Sequence, residues 1–375
     1  MRVAVDVVPI RSDGVVGGAH HFVMELLKGL FNKNRKDRFY LLTASGNHEY
    51  FAQFESHSIK RICVDSVPIR INRSKSMLSK YNIDVLFCPM SAITYAEPGI
   101  PSVSIIYDIQ HEYYPQFFTL SELSHRKRFY QELCEKADAV ICISKFTKDS
   151  ILEKFQISRE RINVVHIGIQ ERFNIDSLEH AMSILKRHSL ANKVYGFYPA
   201  NFWPHKNHRM LLVAFSMLLD KFPDLKLHLV FTGSLWNEKS VINDAIRQMK
   251  LQDRVHYLGY LSDAELSVVL SGASFVIFPS LFEGFGIPIA EAMTFGKPVL
   301  CSNTTSLPEV AGEAALYFDP RKPDSIMQSI EKILNDRDLQ IVMVGKGFKQ
   351  VQIFNRDKMI DSYYEVLEKV AKRRN

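Results

Sequence analysis

Short apolar runs alternate with longer stretches whose apolar residues recur at helical spacing, and this alternation occurs twice along the chain. The runs predict strands at Val3–Val8, Phe39–Thr43, Val85–Pro89, Val103–Tyr107, Ala139–Ile143 and Ile162–His166. They resume at Val194–Tyr198, Leu227–Phe231, Val255–Leu258 and Ala273–Phe278. After the first strand, Val23, Leu26, Leu27 and Leu30 share one helical face. After Val194–Tyr198, a second stripe is formed by Leu211, Leu212, Phe215, Leu218, Leu219 and Phe222. Helical patterns through Ile326, Ile330 and Ile333, and through Tyr363, Val366, Leu367 and Val370, close the chain. Strands alternating with helices imply an α/β protein with parallel sheets covered on their faces. In such sheets ligands gather beyond the strand C-termini, so the residues there are the candidates for chemistry.

With 375 residues the chain is long enough for two domains, each with its own core. A composition of 46% hydrophobic and 23% charged residues is that of an ordinary soluble globular protein. No window approaches the roughly 18 uninterrupted apolar residues of a membrane-spanning helix. The opening MRVAVDVVPIRSDG turns polar too soon for a leader and reads as a first strand. Cys63, Cys88, Cys134, Cys142 and Cys301 form no C-x-x-C pair, which suits reduced thiols in a cytoplasmic protein. The net charge is +6, with a local excess from Arg61 to Lys80 that includes Arg70, Arg73 and Lys75. That stretch reads either as a solvated loop and helix or as a peripheral contact with an anionic membrane leaflet. The second is worth about 1 kcal/mol per basic residue. Nucleic acid is not an expected partner, because no basic helix or aromatic platform accompanies the charge.

The most informative stretch runs from Phe278 to Lys297, FPSLFEGFGIPIAEAMTFGK. An apolar strand ends there, turns through Glu283-Gly284-Phe285-Gly286 and enters a helix with Pro288 near its first position, where a missing N–H costs nothing. Main-chain N–H groups and the positive end of the helix dipole make such a turn an anion site. Glu283 precedes the helix, and Glu291 is expected on its first turn eight residues later. Amides suit phosphate and carboxylates suit hydroxyls, and a compound with hydroxyls on both sides of phosphates is a nucleotide sugar. An E-x7-E pair alone reads rather as an ordinary β-α turn with solvated glutamates. The glycines, the proline and the strand together favour a site.

This run resembles the signature of the retaining glycosyltransferases of family 4 (glycosyl transferases group 1), of the bacterial surface-polysaccharide type. The resemblance implies the GT-B fold, two Rossmann-like parallel-sheet domains facing across a cleft. It divides the chain into an acceptor domain at 1–170, a connection at 171–193 and a nucleotide-sugar domain at 194–356, with the helix at 357–375 returning to the first. It also implies that Glu283 contacts the donor sugar's hydroxyls, that Glu291 holds the ribose, and that the main chain of Phe285, Gly286 and Ile287 meets sugar and phosphates. The block Ser302–Gly312, which contains Thr304, resembles the same family's next motif.

Other strand ends fit the resemblance to different degrees. Gly17 and Gly18, before the first helix, look like the family's phosphate-reaching Gly-Gly loop. Tyr107 stands where many relatives carry histidine, Asp108 is retained, and His111 follows three residues later. Either His111 takes over a sugar contact or the site manages without it. In CISKFTKD, Ser144 or Thr147 reads as a helix N-cap, and Ser262 or Asp263 reads as another. Lys206 matches the family lysine that grips the departing diphosphate, whereas the partner arginine position falls on Ala200. His205 and Arg209 are the nearby candidates to compensate. Gly233, at the end of Leu227–Phe231, and Leu261, near the expected base, complete the donor set.

The implied chemistry is retaining transfer of a hexosyl group, with mannosyl from GDP-mannose as the preferred donor and UDP- or other nucleotide sugars as alternatives. The acceptor is a glycan or a lipid-linked group in polysaccharide or lipopolysaccharide biosynthesis. The expected catalytic set is Glu283, Lys206, Asp108 and His111, with no metal and no cofactor beyond the donor itself. A phosphorylase or epimerase of the same fold fits less well. A non-catalytic partner subunit is the rival reading, supported by Ala200 and Tyr107 and opposed by the retained Glu283, Glu291, Lys206 and Gly17-Gly18.

Overall fold

The computed structural model describes residues 1–11, 18–34, 36–66, 77–169, 177–235 and 239–374. Contacts divide the chain into two compact units, Met1–Gly168 together with Arg356–Asn375, and Ile169–Asn355.

The first unit holds strands β1 (Arg2–Asp6), β2 (Arg38–Thr43), β3 (Ile59–Cys63), β4 (Val85–Cys88), β5 (Ser102–Ile106), β6 (Ala139–Cys142) and β7 (Ile162–Val164). They form one sheet in the order β3-β2-β1-β4-β5-β6-β7, and every pairing is parallel. Its described helices are α1 (Gly18–Lys33), α2 (Met77–Lys80), α3 (Gln110–Tyr113), α4 (Leu120–Lys136) and α5 (Lys145–Lys154). Strand order reverses between β1 and β4, the crevice where such sheets place ligands. The last helix of the chain, α14, returns to this unit across Arg356–Ala371. Its Tyr363 is fully buried against the rings of Phe22 and Phe87, and Arg356 pairs with Glu25 at 3.3 Å.

The second unit holds β8 (Val194–Pro199), β9 (Leu227–Thr232), β10 (Val255–Tyr257), β11 (Phe275–Phe278), β12 (Val299–Ser302) and β13 (Ala315–Phe318). Their order is β10-β9-β8-β11-β12-β13, again all parallel, with the reversal between β8 and β11. Around them lie α6 (Leu178–Arg187), α7 (His208–Lys221), α8 (Lys239–Gln248), α9 (Asp263–Gly272), α10 (Ile287–Thr294), α11 (Leu307–Ala311), α12 (Pro323–Asn335) and α13 (Arg337–Gln350). The apolar stripe expected after β8 is the buried face of α7, with Leu211, Leu212, Phe215 and Leu218 inside. Ser144 caps α5 by accepting from Thr147 N, and Ser262 caps α9 in a reciprocal box with Glu265.

Two expectations change here. The polar stretch taken as a connection carries α6, which packs on α9 within the second unit. Arg61 belongs to no solvated basic loop. It lies in edge strand β3 and pairs with Glu55 at 2.8 Å and Glu49 at 3.3 Å. Arg70, Arg73 and Lys75 of the same stretch lie outside the described residues.

Candidate functional site

The second sheet brings two distant loops together. Because β8 and β11 are hydrogen-bonded neighbours, the loops leaving their C-terminal ends emerge side by side. The first loop carries Lys206 and the second Glu283, and Lys206 Nζ donates to Glu283 Oε1 at 2.6 Å. Both side chains are largely buried, 20% and 14% exposed. Burial pushes the Glu283 carboxyl up, but the Lys206 charge, His205 and hydrogen bonds from Lys206 and Ser280 outweigh it, so the group lies below its ordinary value. Burial, and then Lys206, push His205 down to about 3, with Glu283 opposing, so its ring is neutral at neutral pH.

The loops are also joined through the main chain. Leu281 N donates to the His205 carbonyl at 2.7 Å. Asn207, left-handed at φ 61, donates its amide to the carbonyls of Pro279 and Pro320 at 3.0 and 2.8 Å. The downstream block holds the Glu283–Gly286 turn in place. Glu283 N donates to Thr305 Oγ1 at 3.2 Å, and the buried Ser306 hydroxyl reaches the carbonyls of Glu283 and Phe285, each at 2.9 Å. Thr304 Oγ1 is buried without a hydrogen-bond partner among the described residues.

Helix α10 begins directly after this turn with Gly286 as its N-cap at φ 105 and Pro288 in its first turn. A Cβ on Gly286 would stand 2.8 Å from Leu307 Cδ2, so the turn needs glycine for both conformation and space. Ile287 is the first helical residue, and Phe285 is buried against Phe354 with ring centres 5.3 Å apart. Glu291 does not fall on the first turn as expected. It is the fifth residue of α10, because the helix starts at Ile287, and its side chain is only 5% exposed.

Gly233, at φ 111 beyond β9, lies against the loop that leaves β8. A Cβ there would stand 2.7 Å from the Ala200 carbonyl oxygen and 2.8 Å from Asn201 N. Gly233 N donates to the Gly259 carbonyl at 2.8 Å, and Leu261, buried, ends the same loop just before the Ser262 cap of α9.

In the first unit, Gly18 opens α1, whereas Gly17 lies outside the described residues. Asp108 Oδ1 accepts from Gln110 N at 3.0 Å, fixing the turn into α3. His111 lines no open surface, contrary to expectation. Its ring is fully buried and stacks on Tyr130 at 5.0 Å, Nε2 lies 3.4 Å from Glu112 Oε1, and neither nitrogen has a hydrogen-bond partner among the described residues. Burial, then Arg126 and Lys127, push it down to about 4, so the ring is neutral. Tyr107, in the place of the family histidine, donates its hydroxyl to the Pro89 carbonyl at 2.7 Å. Among the described residues no three His, Cys, Asp or Glu side chains are grouped to hold a metal ion.

Sequence reasoning missed Tyr198, Ser280, Asn207 and Ser306. The available signal was a polar atom inside or just after an apolar strand, which must find a buried partner.

Two parallel doubly wound sheets in one chain are the architecture of the GT-B class. The solved structure of Anabaena HepE in complex with UDP and glucose superposes with a TM-score of 0.76 over 98% of this chain and 100% of its own, at 16% identity. A sucrose-phosphate synthase from Thermosynechococcus elongatus superposes with a TM-score of 0.77 over 98% of each chain, at 19% identity. The family model for Glycosyltransferase Family 4 matches residues 16–173, and that for Glycosyl transferases group 1 matches residues 183–350. The chain belongs to the group 1, family 4 glycosyltransferases. It is 29% identical to O-antigen chain mannosyltransferase B of Escherichia coli over 68% of this chain and 66% of that protein. It is 25% identical to O-antigen chain mannosyltransferase RfbU of Salmonella typhimurium over 61% of this chain and 59% of that protein. The match thus spans about two thirds or less of these relatives, and 27% of the E. coli serotype-specific mannosyltransferase WbdA.

Proposed function

We propose that this protein is a retaining glycosyltransferase that moves a hexosyl group from a nucleotide sugar to a glycan or lipid-linked acceptor in polysaccharide or lipopolysaccharide biosynthesis. The observation that carries this reading is the 2.6 Å Lys206–Glu283 pair beside the glycine-capped start of α10. Negative charge grows on the nucleoside diphosphate as it leaves, and preorganised donors must meet it. Lys206 and the main chain of Phe285, Gly286 and Ile287 take that role, without a metal. Glu283 holds sugar hydroxyls, Glu291 the ribose, and Gly233, Leu261 and Thr304 border the nucleotide. The favoured donor is GDP-mannose, because the similar curated proteins are named mannosyltransferases. A UDP-hexose is the competing donor, because HepE was solved with UDP.

The free cysteines suit a cytoplasmic enzyme, and no described helix is long and apolar enough to cross a membrane. Peripheral contact with the cytoplasmic leaflet through the 61–80 stretch would bring it to a lipid-linked acceptor.

Thermal stability with GDP, UDP, ADP and dTDP, each with and without magnesium, tests the reading. A nucleotide at a hundred times its dissociation constant stabilises by about 2.7 kcal/mol. A magnesium-independent shift with one of them, lost in Glu291→Ala, identifies the donor class. A folded protein that responds to none of them favours the reading as a non-catalytic partner subunit.

A further inference from the structure

Three basic side chains converge where the second sheet begins. Lys193 directly precedes β8, His228 is the second residue of β9, and His256 is the second residue of β10. These strands are neighbours in the order β10-β9-β8. The register pairs Tyr195 with His228 and Val230 with His256. Paired residues of parallel strands share a face, and the face repeats at every second residue. Lys193, His228 and His256 therefore project from one face, at the end of the sheet opposite the loops that carry Lys206 and Gly233. All three are half-buried, so each reaches solvent.

His256 Nε2 is the centre of the group, 3.2 Å from Lys193 Nζ and 3.1 Å from His228 Nδ1. A ring nitrogen holds either one proton or one lone pair, and an ammonium only donates. With a proton, Nε2 can donate to His228 but offers Lys193 nothing. With a lone pair, it can accept from Lys193 or from His228, and the other contact goes unmade. In either form the group has more donors than acceptors. Its charges are equally one-sided. Burial first, then Lys193 and His228, push His256 down to about 4, and burial first, then Lys193 and Arg254, push His228 down. Arg254 directly precedes β10, and its carbonyl accepts from Leu229 N at 2.8 Å.

We propose that Lys193, His228 and His256 form a binding site for a phosphate-class oxyanion, separate from the donor site. An oxyanion accepts through several oxygens at once, so it can take a hydrogen bond from Lys193 and from one nitrogen of each ring. It also supplies the negative charge that the group lacks. Two imidazole nitrogens that ligate one metal ion at about 2.0–2.1 Å stand about 3 Å apart, so the histidine pair alone would suit a cation. Lys193 decides against that, because an ammonium 3.2 Å from His256 Nε2 repels a cation and attracts an anion. Bound there, the anion joins the starts of three adjacent strands.

The test is proton–nitrogen NMR of the histidine rings in the full chain at constant ionic strength, assigned with His228→Gln and His256→Gln. Sulfate and inorganic phosphate should each shift both rings in a saturable way, and chloride should not. Lys193→Met should weaken sulfate binding about tenfold, the scale of one hydrogen bond to a charged group, while Lys193→Arg keeps it. Glycerol 3-phosphate that binds as tightly as inorganic phosphate marks a site for a phosphate group on a larger molecule, and weaker binding marks a site for the free ion. Rings that shift no more with sulfate and phosphate than with chloride overturn the site. So does a folded Lys193→Met protein that binds sulfate like wild type. Rings that respond to zinc chloride alone make the pair a metal site and equally overturn the proposal. The readout is local to His228 and His256, so its outcome is independent of the nucleotide test.

Discussion

Lys206 Nζ and Glu283 Oε1 stand 2.6 Å apart although 77 residues separate them in sequence. The pair links the loop expected to meet a diphosphate to the loop expected to meet sugar hydroxyls. Removing one partner strands a largely buried charge, at a cost of about 3 kcal/mol. Chemical denaturation of Lys206→Met and Glu283→Gln should each show a loss of that order. The double variant should recover much of it, while transfer stays abolished in all three. Additive losses would mean that the two groups do not interact in solution.

Gly233 is the tightest backbone contact beside the site. At φ 111, with a Cβ 2.7 Å from the Ala200 carbonyl oxygen, alanine meets both strain and main-chain collision. Gly233→Ala should lose about 2 kcal/mol and weaken nucleotide binding, since the β8 and β9 loops are forced apart. Gly345, in α13 with nothing within 4 Å of its Cβ position, is the control. Gly345→Ala should gain about 0.5–1 kcal/mol. Equal behaviour of the two variants in thermal melts would refute the packing argument.

Acid should loosen the second unit through two neutral histidines. Burial first, then Lys206, push both His205 and His208 down to about 3. The unfolded chain binds protons more readily than the native one from about pH 6.5 downward, so the stability these groups contribute is complete above that pH. It is lost as pH falls toward about 3. His208 stacks on Phe202 at 4.0 Å and lies 4.6 Å from Tyr198, and its Nε2 has no hydrogen-bond partner among the described residues. A phenyl ring fits that slot without the buried nitrogen. His208→Phe should therefore flatten the acid side of the stability–pH curve without loss at pH 7.

Asp6 works in the opposite sense. It ends β1 almost fully buried, with Oδ1 accepting from Val8 N at 3.1 Å and Oδ2 without a hydrogen-bond partner among the described residues. Burial raises its carboxyl to about 7, opposed by the Val8 hydrogen bond. Its folded value is above the unfolded value of about 3.9, so its contribution is complete below that pH. The contribution is lost as pH rises through about 7. Asp6→Asn keeps the acceptor for Val8 and removes the charge. It should raise the melting temperature at pH 8 and leave it nearly unchanged at pH 4.

The chain's own pattern determined much of this. Continuous apolar runs with helical stripes between them specified two parallel α/β units, because strand and helix periods are local properties of sequence. Ser144 and Ser262 cap their helices as their positions suggest, since a cap needs only a few neighbouring residues. The Glu283–Gly286 turn was legible for the same reason. Elements with weak local signals were not: β3 carries Lys60 and Arg61 on an edge, and β12 and β13 have four residues each.

Tertiary structure decided everything that depends on which strands become neighbours. His111 reads as a loop polar residue, yet Tyr130, nineteen positions later on α4, covers it with a stacked ring. Arg61 reads as free charge until Glu49 and Glu55 fold beside it. Nothing near Lys206 announces Glu283, or the Tyr198 and Ser280 hydroxyls beneath the pair. They meet because the sheet order sets β8 beside β11, and that order is chosen by burial across the whole unit, which no local window contains.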